Sequence, residues 1–139
     1  MPTLDSYLFF DGTCAEAMRF YERVLGGRME TFLTYGESPD PAACPPGDPG
    51  RVMHACIVLS DGRRLMASDT PEGMHQPLQG FALALNYGTA DEARKVFDTL
   101  ANGGQVTMPM ARTFWTETFG MLTDRFGTPW MVGGGQQPA

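Results

Sequence analysis

The sequence predicts an α+β fold of two βαβββ modules forming a cupped, mostly antiparallel mixed sheet. Two amphipathic helices with matching start and stop signals recur at one offset, and strand patterns flank each helix in the same order. A chain that repeats strand, helix and three strands buries one sheet face on its helices and curls the other into a cavity.

The helices come first. The segment GTCAEAMRFYERVLGG from Gly12 matches GTADEARKVFDTLANGG from Gly88 at an offset of 76 residues. Gly12, Thr13, Glu16 and Ala17 align with Gly88, Thr89, Glu92 and Ala93; Tyr21, Val24 and Gly27 align with Phe97, Leu100 and Gly103. Thr13 with Glu16 and Thr89 with Glu92 read as capping boxes, in which a hydroxyl and a carboxylate satisfy free N–H groups at a helix start. Cys14, Ala17, Met18, Tyr21 and Leu25 share one helical face, as do Ala93, Val96, Phe97, Leu100 and Ala101. The pairs Gly26–Gly27 and Gly103–Gly104 supply left-handed stops.

The strands follow from alternation and turns. Strands are expected over Leu4–Phe10, Arg28–Tyr35, Arg51–Leu59 and Arg63–Ser68, the last two joined by the Ser60-Asp61-Gly62 turn. The second set covers Gly80–Tyr87, Gln105–Met110, Thr118–Thr123 and Pro129–Val132, with a turn at Asp124–Gly127. This gives one domain over 1–139: module one at about 4–69, a linker at 70–79 and module two at about 80–133. Glu37–Gly50 holds five prolines and is either a lid over the cavity or a solvated insertion, and the tail from Gly133 is expected to fray.

Composition narrows the function. The net charge of −6 opposes binding to phosphate backbones and anionic lipid, so neither nucleic acid nor membrane is an expected partner. No apolar run approaches the roughly 20 residues that span a bilayer, and the N-terminus MPTLDSYLFF lacks the basic segment of a signal peptide. Cys14, Cys44 and Cys56 lack CxxC spacing, which favours reduced thiols and a cytoplasmic setting.

FFDGTCAEAMRFYERVLGG, followed by RLMASD, FALAL, FWTETFG and LTDRFGTPWMV, resembles the PhnB-like proteins of the glyoxalase/bleomycin resistance/dioxygenase (vicinal oxygen chelate) superfamily. The resemblance runs from about Tyr7 to Val132. It implies the glyoxalase/bleomycin resistance/dihydroxybiphenyl dioxygenase-like fold, a homodimer, and a divalent metal held in the cup by His, Glu or Gln. Alignment to that pattern puts Ser6, Met66, Phe81 and Met131 at the four ligand positions. None suits Zn, Ni, Mn or Fe(II), since thioethers are too soft. The expected cofactor is therefore none, with a divalent metal at another place as the alternative. Methyltransferase names are also attached to this family, but no Gly-rich strand-to-helix turn is present to build a nucleotide site.

His54, on an alternating strand, is either a general base or a histidine bonded to a neighbour. Glu117, just before a strand, is either a site carboxylate or a solvated turn residue. Tyr7, Phe9, Tyr35, Trp115 and Trp130 are the expected ligand-binding wall, and ten methionines imply a soft interior. Asp69 reads first as a turn former, His75 as an exposed linker residue, and His54, Asp69 and Glu117 together as a candidate secondary metal site. Three functions stay open. The first is a metal-free binder of a small aromatic or amphipathic molecule; the second is a metal-dependent lyase, isomerase or dioxygenase using His54 and Glu117; the third is a structural dimer whose cup is filled by its own side chains.

Overall fold

The structure, a computed structural model, describes residues 2–38 and 47–136. The chain divides into two compact units, Met1–Gln76 and Pro77–Ala139, each treated by itself.

In the first unit β1 (Ser6–Phe10), α1 (Cys14–Leu25), β2 (Arg28–Thr34), β3 (Val52–Val58) and β4 (Arg64–Asp69) form a four-stranded sheet ordered β1-β4-β3-β2. The pair β1 and β4 is parallel and the other pairs are antiparallel. In the second unit β5 (Leu83–Tyr87), α2 (Ala90–Ala101), β6 (Gln105–Ala111), β7 (Thr116–Thr123) and β8 (Pro129–Gln136) repeat the arrangement as β5-β8-β7-β6. The βαβββ order thus occurs twice.

Extended chain alternates its side chains between faces. In the first unit Leu8, Phe10, Ala55, Ile57, Leu65 and Ala67 take one face and are buried with Cys14, Ala17, Met18 and Tyr21 of α1. In the second unit Leu122, Trp130 and Val132 are buried with Ala93, Phe97 and Leu100 of α2. Each sheet therefore has one face on its helix and one helix-free face.

The start of α1 departs from the sequence expectation. Thr13 is the cap residue but makes no side-chain cap bond. Asp69, at the end of β4, does the capping. One carboxylate oxygen accepts Gly12 N–H at 2.8 Å and Cys14 N–H at 3.0 Å, and the other accepts Val52 N–H at 2.9 Å. The Asp69 side chain is therefore committed to backbone amides in a buried position, which excludes it from a metal site with His54. In the second unit the expected local cap is present, with Glu92 N–H donating to the Thr89 hydroxyl at 3.2 Å.

The position equivalent to Asp69 is Gly134, since Phe10 pairs with Asp69 and Tyr87 with Gly134. A side chain there would collide with the Thr89 carbonyl and Ala93, so glycine lets α2 lie directly on β8. The fraying expected from Gly133 onward is replaced by strand over residues 133–136. β8 runs to Gln136, paired with β5 on one side and β7 on the other. Other differences are smaller. A 3₁₀ turn over Tyr35–Glu37 ends β2, and β5 starts at Leu83 rather than Gly80. Residues 39–46, including Cys44 and most of the proline-rich stretch, lie outside the described residues.

Asp69→Ala should cost at least about 3 kcal/mol in urea unfolding, because three N–H groups lose a charged acceptor. Asp69→Asn, which keeps one acceptor oxygen, should cost less. A pH series tests the buried thiol. Burial first, and then the Asp69 charge, push the Cys14 pKa well above the ordinary thiol range. The unfolded chain then loses this proton first. Stability is full below about pH 8.5 and falls above it by up to about 1.4 kcal/mol per pH unit from this group, and Cys14→Ala should flatten that loss.

Candidate functional site

The helix-free face of the first unit gathers polar and aromatic groups. On β1, Tyr7 and Phe9 alternate with buried Leu8 and Phe10 and remain 39% and 48% exposed. Tyr7 pairs with Met66 on β4, and Met66 pairs with Cys56 on β3. His54 lies two residues before Cys56 on the same face. The Tyr7 hydroxyl and His54 Nδ1 are 3.1 Å apart, the two rings stack at 5.7 Å, and Phe9 tilts against Tyr7 at 5.1 Å.

The sequence named each of these three residues but did not pair them. Tyr7 and His54 sit on strands separated by β4, and the pairings of β4 with β1 on one side and β3 on the other bring them together. The hydrogen bond can run either way. If the phenol donates, Nε2 carries the remaining proton; if Nδ1 donates, the phenol keeps a free O–H and Nε2 accepts. In both cases the pair offers a ligand one donor and one acceptor.

Tyr35 belongs to the scaffold. Its hydroxyl donates to the Asp69 carbonyl at 2.8 Å. Burial, then the nearby Tyr7 and Asp69, raise its pKa against the opposing effect of Arg51. Arg51 donates to the Thr70 carbonyl at 2.6 Å and pairs with Asp11 at 2.9 Å, fixing the β1–α1 turn to the end of β4.

Apart from His75, the remaining candidates lie in the second unit. Trp115 is half exposed and meets Phe119 edge-on at 5.5 Å and Phe114 at 4.8 Å. Glu117 falls within β7, is exposed, and lies over Gly135. Trp130 is no wall residue. It is 2% exposed on the helix side of β8, and its indole N–H donates to buried Asp124 at 2.8 Å. Its parity on β8, shared with Val132, sends it into the core. His75 is partly buried rather than exposed, and its Nδ1 has no hydrogen-bond partner among the described residues.

The expected metal positions also change. Ser6 shares the helix-side parity of Leu8 and Phe10, so Tyr7 takes the helix-free position beside Met66. Phe81 precedes β5, and Ala84 takes the corresponding position beside Met131. A phenol, an alkyl group and two thioethers do not fit a hard or borderline divalent ion. Among the described residues no three His, Cys, Asp or Glu side chains group to hold a metal.

The family model described as Glyoxalase/Bleomycin resistance protein/Dioxygenase superfamily matches residues 3–132. Protein YjdN of Escherichia coli is 34% identical over 137 residues, covering 93% of this chain and 92% of that protein. A crystal structure of a Pseudomonas aeruginosa protein shares 40% identity with a TM-score of 0.89, covering 99% of this chain and 100% of that one. A Bacillus cereus PhnB protein, described as a 3-demethylubiquinone-9 3-methyltransferase, shares 26% identity with a TM-score of 0.79 over 96% of this chain and 99% of that one.

Core and face residues should respond differently to mutation. Trp130→Phe should destabilise by about 2 kcal/mol or more, since it leaves a void and strips the buried Asp124 of a donor. Tyr7→Phe should cost under about 1 kcal/mol, because its partner stays accessible to water. Urea unfolding midpoints at constant slope provide the check.

Proposed function

The chain belongs to the Glyoxalase/Bleomycin resistance protein/Dioxygenase superfamily, and from that premise we propose that it binds a small aromatic or amphipathic molecule on the helix-free face of its first unit, without the metal centre usual in such proteins. One observation carries this reading: Tyr7, His54 and Phe9 form a stacked, hydrogen-bonded set that stays partly exposed. The core does not need these side chains, and clustered aromatics with one convergent polar pair are the usual make-up of a small-molecule site. A planar ring stacks on Phe9 and Tyr7, while a hydroxyl or carbonyl on that ring meets the donor and acceptor of the pair. In this role His54 anchors the ligand, and Cys56 and Met66 floor the site.

The methyltransferase description of the Bacillus cereus relative has no counterpart in the strand-to-helix turns here. Residues 11–13 and 88–89 carry one glycine each, too few for a phosphate-cradling loop. A second copy of the chain is the macromolecular partner this reading includes, on the ground of the family resemblance.

Titration calorimetry against substituted phenols and planar heteroaromatics tests the proposal. At least one compound should bind, and Phe9→Ala or His54→Ala should each weaken it tenfold or more, about 1.4 kcal/mol. Binding that survives both substitutions contradicts the site. One equivalent of tightly bound divalent metal, lost in His54→Ala, favours the metal-dependent enzyme instead.

A further inference from the structure

Methionine is unevenly placed in the second unit. Met108 on β6 pairs with Met121 on β7, and Met121 pairs with Met131 on β8. Residues paired across adjacent strands share a face, with Cβ atoms about 5 Å apart. Met121 is flanked by buried Gly120 and Leu122, and Met131 by buried Trp130 and Val132. Both methionines therefore point away from α2. Met108 joins them because the register shifts between Val106 and Met108, and it is 46% exposed. Met110, in the neighbouring bulge, lies against Gly120 on the other side. Three thioethers thus stand in one row across three adjacent strands, and the row ends at Ala84, too small to cover them.

We infer that this row is a coordination site for a soft monovalent cation of the Cu(I) class, held by the sulfurs of Met108, Met121 and Met131. Thioethers are neutral, polarisable donors that select Cu(I)-type ions over Mg, Mn or Zn. The side chain has three rotatable bonds, so sulfurs on adjacent strands can converge on one ion. The corresponding row of the first unit reads Thr31, Cys56, Met66 and Tyr7, with one thioether and a thiol whose pKa burial raises. The three-sulfur arrangement belongs to the second unit alone among the described residues. This site uses none of the residues of the proposed aromatic site, so either can fail without the other.

The test is a titration of the full chain with Ag(I), a redox-inert probe for Cu(I), followed by methyl ¹³C NMR of labelled methionine. Site-by-site reading keeps capture of silver by the cysteines separate from the row. The methyl signals of Met108, Met121 and Met131 should move together and share one midpoint. Met121→Leu, which preserves volume, should weaken the response of Met108 and Met131 at least tenfold while leaving the fold intact by thermal unfolding. The inference is overturned if these signals stay still through excess silver. It is equally overturned if they move with separate midpoints, or if Met121→Leu leaves the response of the other two unchanged.

Discussion

Each four-stranded sheet of this chain has one helix, and that ratio governs everything else. A single helix covers one face, so strict alternation along each strand divides side chains into a core set and a helix-free set. Leu8 and Phe10 go to the helix while Tyr7 and Phe9 do not; Trp130 and Val132 go to the helix while Met131 does not. Chemistry can accumulate on the second set because the first already supplies the hydrophobic stabilisation.

The two units solve the same packing problem differently. In the first, the Asp69 carboxylate gathers the amides of Gly12, Cys14 and Val52, so β4, β3 and the start of α1 meet at one buried charge. In the second, Gly134 replaces that carboxylate and α2 descends onto bare backbone. A buried carboxylate with three amide donors fixes geometry firmly, and it sits one residue beyond Ser68 on the strand that separates Tyr7 from His54. The helix-free face is polar in the first unit, with Tyr7, His54 and Phe9. In the second unit that face is sulfur-rich, with Met108, Met121 and Met131.

Much of this was legible in the sequence because its signals are local. The helices showed in their periodicity and in Gly26 and Gly103, and half of the second capping box formed: the Thr89 hydroxyl takes the Glu92 N–H, while the Glu92 carboxylate accepts from that hydroxyl rather than from a backbone N–H. The first did not, because its acceptor lies 55 residues away from Cys14, beyond the reach of a local rule. Face assignments failed for a related reason. Asp11 separates Phe10 from Gly12, whereas Tyr87 directly precedes Gly88. Helices aligned at one offset therefore follow strands shifted by one residue, and a one-residue shift exchanges the faces. Ser6 stands one residue from Tyr7 and Phe81 three from Ala84, both odd steps, so Tyr7 and Ala84 hold the helix-free faces that Ser6 and Phe81 were expected to take. The Tyr7–His54 pair was hidden because two separate strand pairings must be known to see it.

The most direct measurement is the shift of backbone and imidazole NMR signals as phenol is added to the chain. Saturable changes should centre on Tyr7, Phe9, His54 and Cys56, with Trp130, Leu122 and Phe97 in the second core unmoved. Changes centred on that core, or no saturable change at any residue of the Tyr7–His54 face, would contradict binding there.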